Sequence, residues 1–206
     1  DVGDACALLQ QAYDLLGSLL LVVLVQRQQL IDTTLDGHYA YATKLARSTD
    51  DFLQSALQQL DYSAKLMAGH MDDLHYLGEE AARLRLQTKS FNSVTVIDQT
   101  GYVLATSPET LQIVGKTLKS AGVTEALQAK GPIISQPYMA VTDKFIIFIS
   151  QPIFAADGQY LGAVGGSIYL KQESMLDLLL GEHFYRDGSY LYVVDQRKRV
   201  IYHPED

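Results

Sequence analysis

Cysteine is almost absent from the sequence, since Cys6 is the only one among 206 residues. A single cysteine cannot form a disulfide within the chain, and it excludes a zinc site built from cysteine ligands. Basic residues are also scarce: 16 lysines and arginines stand against 24 aspartates and glutamates, which gives a formal net charge of −8. The chain therefore lacks the clustered basic surface of a nucleic-acid-binding protein, and we expect no nucleic-acid partner.

Proline is absent from residues 28–88, where runs of β-branched residues are also rare. Apolar residues recur there at steps of three, four and seven, which predicts helices. Gly69 and the pair Asp72 and Asp73 predict a break followed by a new helix, because acidic side chains are favourable in a first helical turn. We therefore expect one long helix over 28–68 and a second helix that ends near residue 88.

A second feature of the N-terminal part is the run Leu15–Val25, which is apolar apart from Gly17 and Ser18. The run is shorter than the roughly 20 residues that span a bilayer. One interpretation is a helix that is buried or packed against a partner. The other is the outer end of a transmembrane helix, with Arg27 and the neighbouring glutamines marking its exit into water.

After residue 90 the pattern changes from helical to alternating, which predicts strands. A first hairpin is expected over 93–106, and a meander of three runs over 132–170, with a brief helix over 124–129 between them. The middle run of the meander has no polar residue over 145–149, so both faces of the sheet must be covered. The long helix is expected on one face and a pocket covered by loops on the other.

A second hairpin pattern over 190–203 repeats the first one weakly, after a predicted helix over 171–180. Two copies of one strand–turn–strand opening indicate two modules in tandem. The predicted divisions are residues 1–27 for an N-terminal segment, 28–88 for the two helices, 89–182 for a first sheet module and 183–206 for the beginning of a second, incomplete one.

From the long helix to the C-terminus, the chain resembles the double Cache family of extracytoplasmic sensor regions. The segments that carry the resemblance are Val94–Gly101, Gln136–Tyr138, Gln151–Pro152, Gly158–Gly165 and Val193–Pro204. The resemblance implies an α+β fold, in which a long N-terminal helix is followed by a PAS-like antiparallel sheet module and by the start of another.

Members of that family lie between two transmembrane helices and bind small molecules in the membrane-distal module. The sequence looks most like the sensor regions of membrane-bound diguanylate cyclases. The resemblance thus implies a periplasmic small-molecule-sensing region, anchored in the inner membrane, that regulates c-di-GMP synthesis. The alternatives are the sensor region of a chemoreceptor or histidine kinase, or a dimerisation module that binds no ligand.

The same resemblance also indicates which chemical class of ligand to expect. Amino-acid-binding members carry an aspartate two residues after the tyrosine of the Pro-Tyr element, where this chain has Ala140. They carry another in the last strand of the module, where this chain has Ser167. Without these carboxylates, an anionic or neutral ligand is expected rather than an amine.

Five residues are candidates for ligand binding: Tyr138, Lys144, Ser167, Ser150 and Ser107. Tyr138 can stack on or hydrogen-bond a ligand, and a lysine at a pocket rim favours an anion. Each also has an ordinary structural interpretation, as a half-buried strand aromatic, a solvated turn lysine or a small packing serine.

Strand alternation in the last run of the meander places Leu161, Ser167 and Tyr169 on the pocket face. Glycines 162, 165 and 166 do not have the spacing of a dinucleotide-binding loop. We expect them to allow the long helix to approach the sheet closely.

Catalytic, cofactor and metal motifs are missing. His70 and His75 are five residues apart, which places them on different faces of a helix. Neither a nucleophile elbow nor a phosphate-binding loop is present. We therefore predict no catalytic residue, cofactor or metal in this chain.

The apolar positions of the long helix repeat near 3.5 residues, which predicts a parallel homodimer.

Overall fold

The computed structural model describes residues 2–170, 192–195, 197–198 and 200–202. Helix α1 spans Val2–Met67 and helix α2 spans Leu74–Thr88. The carboxylate of Asp73 caps α2, because it accepts a hydrogen bond of 3.0 Å from the backbone N–H of Tyr76. The predicted break is confirmed. The first helix begins much earlier than predicted, so the apolar run and residues 28–67 are one continuous helix.

The chain divides into two units, Asp1–Ala46 and Arg47–Asp206. In the first unit, the apolar side chains of Leu15–Val25 are exposed. The helix is long and apolar enough to cross a membrane: its most apolar 18-residue window has a mean hydropathy of 1.8 and no buried residue. Length and composition therefore fit the transmembrane interpretation of this run.

The second unit contains a six-stranded antiparallel sheet with the order β2-β1-β6-β5-β3, in which β4 also pairs with β5. The strands are β1 (Ser93–Asp98), β2 (Val103–Ser107), β3 (Ile133–Ile134), β4 (Tyr138–Met139), β5 (Phe145–Phe154) and β6 (Tyr160–Tyr169). A 3-10 turn over Glu109–Leu111 and helix α3 (Ala121–Ala129) connect β2 to β3. The predicted α+β fold is confirmed.

Both faces of β5 are covered, as its unbroken apolar run requires. On one face, Ile147 and Ile149 belong to the helix-side core, which also contains buried residues of α1 and α2. On the other face, Ile146 and Phe148 belong to the pocket-side core, which also contains buried residues of α3. The sheet is therefore a central layer with the long helices on one side and α3 with its loops on the other.

The glycines of β6 make room for neighbours other than the long helix. A Cβ atom on Gly165 would overlap the ring of Phe148, and one on Gly166 would overlap the ring of Phe91. The expectation that the glycines admit the long helix was therefore wrong. Two aromatic rings, one on each face of the sheet, occupy the space that the missing side chains leave.

The predicted alternation in β6 holds for Ser167 and Tyr169, which face the pocket side. It was wrong for Leu161, which packs against the helix-side core. The register is irregular near the start of β6, and Gly162 has φ +151° there. This local irregularity turns Leu161 to the opposite face.

The second hairpin consists of β7 (Val193–Val194) and β8 (Val200–Tyr202), which pair in antiparallel orientation. Ile201 is buried in the helix-side core. The predicted helix over 171–180 lies outside the described residues, and a second module remains a prediction.

Candidate functional site

A small cavity lies on the pocket side of the sheet, between the strands, the start of α3 and the loops before and after α3. We call it the inner cavity; its volume is about 40 Å³. Seven hydroxyl-bearing residues and eight apolar residues line it, and none of these described residues carries a charge. Because one water needs about 10–15 Å³ by this measure, the cavity has room for about three waters or a ligand of similar size.

Ser93 and Ser167 form a pair of hydroxyls in the inner cavity. They are direct cross-strand partners on β1 and β6, and their side chains lie on the same face. Ser93 is 5% exposed and Ser167 is 9% exposed. Neither hydroxyl has a hydrogen-bond partner within the described part of the chain, whereas Thr95 lies 3.3 Å from the hydroxyl of Thr106. The pair is therefore available to a ligand.

Asn92 fixes the position of this hydroxyl pair. Its backbone N–H donates to the carbonyl oxygen of Ser167 at 2.9 Å. Its side-chain oxygen accepts a hydrogen bond of 2.9 Å from the backbone N–H of Tyr169. The pairing of β1 with β6 thereby continues one residue beyond Ser93.

Tyr138 closes the inner cavity near the N-terminus of α3. Its hydroxyl lies 3.5 Å from the hydroxyl of Ser120, which precedes the helix. Burial raises the pKa of Tyr138 and outweighs hydrogen bonds from Ser120 and from the backbone of Gly122 that lower it. The hydroxyl is thus neutral at pH 7. A Cβ atom on Gly122 would come within 2.8 Å of this hydroxyl, so glycine permits the close approach.

A larger and more open space adjoins the inner cavity. We call it the outer vestibule; its volume is about 480 Å³. The two spaces share the walls formed by Leu111, Ile113, Leu118, Val141 and Thr142. Two lysines line the outer vestibule, Lys116 and Lys144, and its described lining contains no carboxylate. An anion is therefore favoured at the entrance of the site.

The structure brings together three of the five residues that the sequence singled out. Tyr138 and Ser167 line the inner cavity, and Lys144 lines the outer vestibule. Ser150 is buried and its hydroxyl has no hydrogen-bond partner among the described residues, but it does not line the cavity. Ser107 lies away from the site, where it accepts a hydrogen bond of 2.9 Å from Arg85 Nε.

The residues of the site that were missed from the sequence include Ser93, Lys116 and Ser120. Ser93 is the first residue of its strand, and alternation with Thr95 places both on one face. That signal existed in the sequence, but it did not reveal that Ser93 faces Ser167. Lys116 and Ser120 lie in irregular segments, which carry no periodic signal.

Comparison with known families matches residues 84–171 to the Cache domain of WalK sensor protein kinases. The match covers less than half of the chain. It supports the predicted Cache resemblance for the end of the second helix and for the six-stranded sheet. No curated protein matches the chain.

Solved structures give the same fold at low identity. The ligand-binding domain of the Pseudomonas aeruginosa PAO1 amino-acid chemoreceptor PctC, in complex with GABA, has a TM-score of 0.62 at 22% identity, over 79% of this chain and 71% of that one. The extracellular domain of mmHK1S-Z3, a candidate histidine kinase, has a TM-score of 0.61 at 13% identity, over 80% of this chain and 70% of that one.

A third structure is much longer than this chain. An extracellular ligand-binding receptor from Desulfohalobium retbaense DSM5692 has a TM-score of 0.59 at 16% identity, over 68% of this chain but only 26% of that one. These likenesses establish the fold. None of these matches supports the expected link to a diguanylate cyclase.

Proposed function

We propose that this chain is an extracytoplasmic small-molecule-sensing region of a transmembrane signal-transduction protein. The observation that carries the proposal is the inner cavity itself, which is lined by the hydroxyl-bearing cross-strand partners Ser93 and Ser167. Hydroxyls on a cavity wall can donate hydrogen bonds to a ligand and accept them from it. The Cache-type fold supports the same conclusion.

The exposed apolar run of α1 supports attachment to a membrane. We infer that Leu15–Val25 belongs to an inner-membrane helix and that the sheet lies in the periplasm. Arg27 and the glutamines beside it fit the boundary with water, because charged side chains are costly within the hydrocarbon layer.

The output of the whole protein is a further proposal. The family match supports a sensor kinase, and the PctC likeness supports a chemoreceptor. The resemblance to diguanylate cyclase sensor regions keeps c-di-GMP synthesis as a third hypothesis. Sequencing the gene beyond Asp206 tests the three hypotheses, because a kinase, a chemoreceptor signalling domain or a diguanylate cyclase would each support one of them. In each case a ligand shifts the output only through different affinities for two arrangements of the sensor.

Filling the inner cavity is expected to abolish ligand-induced stabilisation. Ser167→Leu places a larger apolar side chain among the cavity walls and removes one hydroxyl of the pair. In a thermal-shift screen of small metabolites with the wild-type chain, a specific ligand at 100 times its Kd stabilises by about 2.7 kcal/mol. The variant should lose this response.

Thr124→Leu on the exposed surface of α3 is the matched control and should respond like the wild type. Circular dichroism would establish that both variants are folded. If every compound that stabilises the wild type also stabilises Ser167→Leu, the inner cavity is not the binding site. If no compound protects the wild type, a dimerisation module without a ligand becomes the better interpretation.

The sensor is also proposed to act as a parallel homodimer. Leu30, Ile31 and Leu35 of α1 are exposed, which leaves them available to a second copy. Single cysteines placed over 30–39 in a Cys6→Ser background should form cross-links in membranes with a helical period, strongest on the face of Leu35. Equal cross-linking at all positions, or none at any, would contradict a specific helix pair.

A further inference from the structure

We propose that Asp14 and Gln10 form a hydrogen-bond network with the same two residues of a second copy of this chain, and that this network joins the two N-terminal helices inside the bilayer. The inference rests on the proposed attachment to a membrane. It names a second copy as the partner of one face of α1 and the side chains that hold that partner.

Asp14 lies near the middle of the proposed span. Counted back from Val25, the roughly 20 residues that cross a bilayer extend to about residue 5. Asp14 lies eleven residues before Val25, which is about 16 Å along the helix in a hydrocarbon layer about 30 Å thick. A carboxyl group at this depth is costly, and such groups face other helices rather than lipid.

The described helix gives this carboxyl group one long hydrogen bond. Gln10 Nε2 donates to Asp14 Oδ1 at 3.3 Å. The hydroxyl of Ser18 donates to the backbone carbonyl oxygen of Asp14 instead, at 2.8 Å. Both Gln10 and Asp14 are exposed. Ionised or protonated, the carboxyl group therefore needs further partners, which the hydrocarbon of lipids cannot supply.

The same pair of residue types recurs where water is available. Gln28 Nε2 donates to Asp32 Oδ1 at 2.9 Å. This pair lies beyond Arg27, on the aqueous side of the proposed boundary, where water can make the remaining hydrogen bonds. The pair of Gln10 and Asp14 has no such source, so its need for a partner comes from its depth in the bilayer.

The seam of the proposed homodimer passes through these two residues. Alternating steps of four and three residues stay on one face of a helix that pairs with another. Taken from Leu35 toward the N-terminus, these steps reach Ile31, Gln28, Leu24, Leu21, Gly17 and Asp14. The next step reaches Gln10. In a parallel pair of helices with this seam, each of these residues lies beside its own counterpart.

Gly17 leaves room for a second helix next to Asp14. No heavy atom lies within 4 Å of the position of a Cβ on Gly17. Leu21 and Leu24, which follow on the same face, are 65% and 51% exposed. Small residues on the contact face of membrane helices allow the two backbones to approach closely. This face is therefore open for contact along the whole proposed seam.

A second copy also supplies suitable donors. Residues 1–26 contain no lysine or arginine, so basic side chains of these helices cannot pair with Asp14. A carboxamide has two N–H groups. One N–H of Gln10 binds Asp14 of its own helix, and the other can donate to Asp14 of the second copy. Hydrogen bonds of this kind between polar side chains stabilise helix pairs in membranes.

The test is dimerisation of the whole chain in lipid vesicles, measured by energy transfer between copies that carry donor and acceptor dyes. The dyes are attached through Lys44→Cys in the Cys6→Ser background, because Lys44 is exposed and lies outside the proposed span. Dilution of the protein in lipid gives the Kd of the dimer. We expect Asp14→Ala to raise this Kd about tenfold. A wild-type chain that stays monomeric in vesicles would overturn the proposal.

Two further variants show whether hydrogen bonding is the cause. Asp14→Asn keeps a polar side chain of the same size and should keep the Kd within about threefold of the wild type. Ser18→Ala is the matched control, because it removes a polar group whose hydrogen bond lies within its own helix. It should leave the Kd unchanged. If Asp14→Ala has the same effect as either Ser18→Ala or Asp14→Asn, the network is wrong.

Single cysteines in the Cys6→Ser background test the position of the seam. Leu21→Cys should form cross-links between copies on oxidation, whereas Leu19→Cys, on the opposite face, should form few. Both leucines are exposed, so exposure alone does not distinguish them. Adding Asp14→Ala should reduce the cross-linking of Leu21→Cys. Equal cross-linking at the two positions would contradict this seam.

The outcomes separate this inference from the proposed function. If alkaline carbonate extracts the chain from vesicles, the chain does not span the bilayer, and both the membrane attachment and this inference fail. If the chain stays in the membrane but Asp14→Ala dimerises as tightly as the wild type, only this inference fails. The thermal-shift comparison of Ser167→Leu tests the sensing function independently.

Discussion

Gly162→Ala is expected to lower the free energy of unfolding by about 4 kcal/mol, the sum of backbone strain and overlap with neighbouring atoms. Gly162 has φ +151°, a conformation that residues with a side chain rarely adopt. A Cβ atom there would overlap the carbonyl oxygen of Ile97 and lie 2.8 Å from Cα of Asp98. Both neighbours are backbone of the paired strand β1, so neither can move aside without breaking the sheet. Urea denaturation measures the change.

Gly158→Ala is the matched control. Gly158 also has positive φ, +84°, but no heavy atom lies within 4 Å of the position of its Cβ. Only the conformational cost remains, about 1–2 kcal/mol. Equal losses for the two variants would show that overlap with β1 contributes nothing at Gly162.

The second large effect is expected at the buried carboxylate that joins the first two helices. Glu80 of α2 is 7% exposed and accepts hydrogen bonds from Ser63 of α1 and from Arg83. Arg83→Met removes the positive partner and leaves the carboxylate buried. We expect the free energy of unfolding at pH 7 to fall by about 2–3 kcal/mol, somewhat less than for a fully buried pair, because Arg83 is one-third exposed.

The pH dependence follows from the pKa of Glu80. Burial alone would raise this pKa, but hydrogen bonds from Arg83 and Ser63 outweigh burial and hold it below its ordinary value of 4.5. The ionised group therefore stabilises the fold fully above pH 4.5, and this contribution is lost as the pH falls through the folded-state pKa. In Arg83→Met the pKa of Glu80 should rise. Wild type and variant should then converge in stability as the pH falls below 4.5.

Lys65→Met provides the control for this prediction, because it breaks the exposed pair of Lys65 with Asp61, 2.6 Å apart on α1. An exposed pair of this kind contributes about 0.5 kcal/mol or less. Thermal unfolding at pH 7 and pH 4 compares the variants. A loss at Arg83 that is no larger than the loss at Lys65, or that does not depend on pH, would contradict the assigned role of Glu80.

Local patterns were sufficient to predict the main elements. The absence of proline and the steps of three and four set the helices, and Asp73 lies where the second helix begins. Alternation set the strands, and the apolar run over 145–149 required that both faces of the sheet be covered. These signals are readable because each depends on residues within one or two turns of a helix, or within one strand.

The site could be predicted only in part, because some of its geometry depends on contacts between residues that are far apart in the chain. Ser167 could be placed near a pocket because it lies in a strand with a clear alternation, whereas Tyr138 was a candidate through the Pro-Tyr element of the resemblance, since β4 has only two residues. The pairing of Ser93 with Ser167 depends on the register between strands that are distant in the chain, and Asn92 fixes that register through a bond between residues 77 positions apart. The reversal of Leu161 likewise follows from the irregular register at Gly162.

By itself, the sequence determined that this chain has long helices before an antiparallel sheet and that both sheet faces are covered. Only the tertiary structure decided that two buried hydroxyls face each other, that Lys116 joins Lys144 at the entrance, and that Phe91 and Phe148 fill the space above the glycines. The physical reason is that local periodicity selects helix or strand. Strand register and close packing depend on contacts between segments that are far apart in the chain.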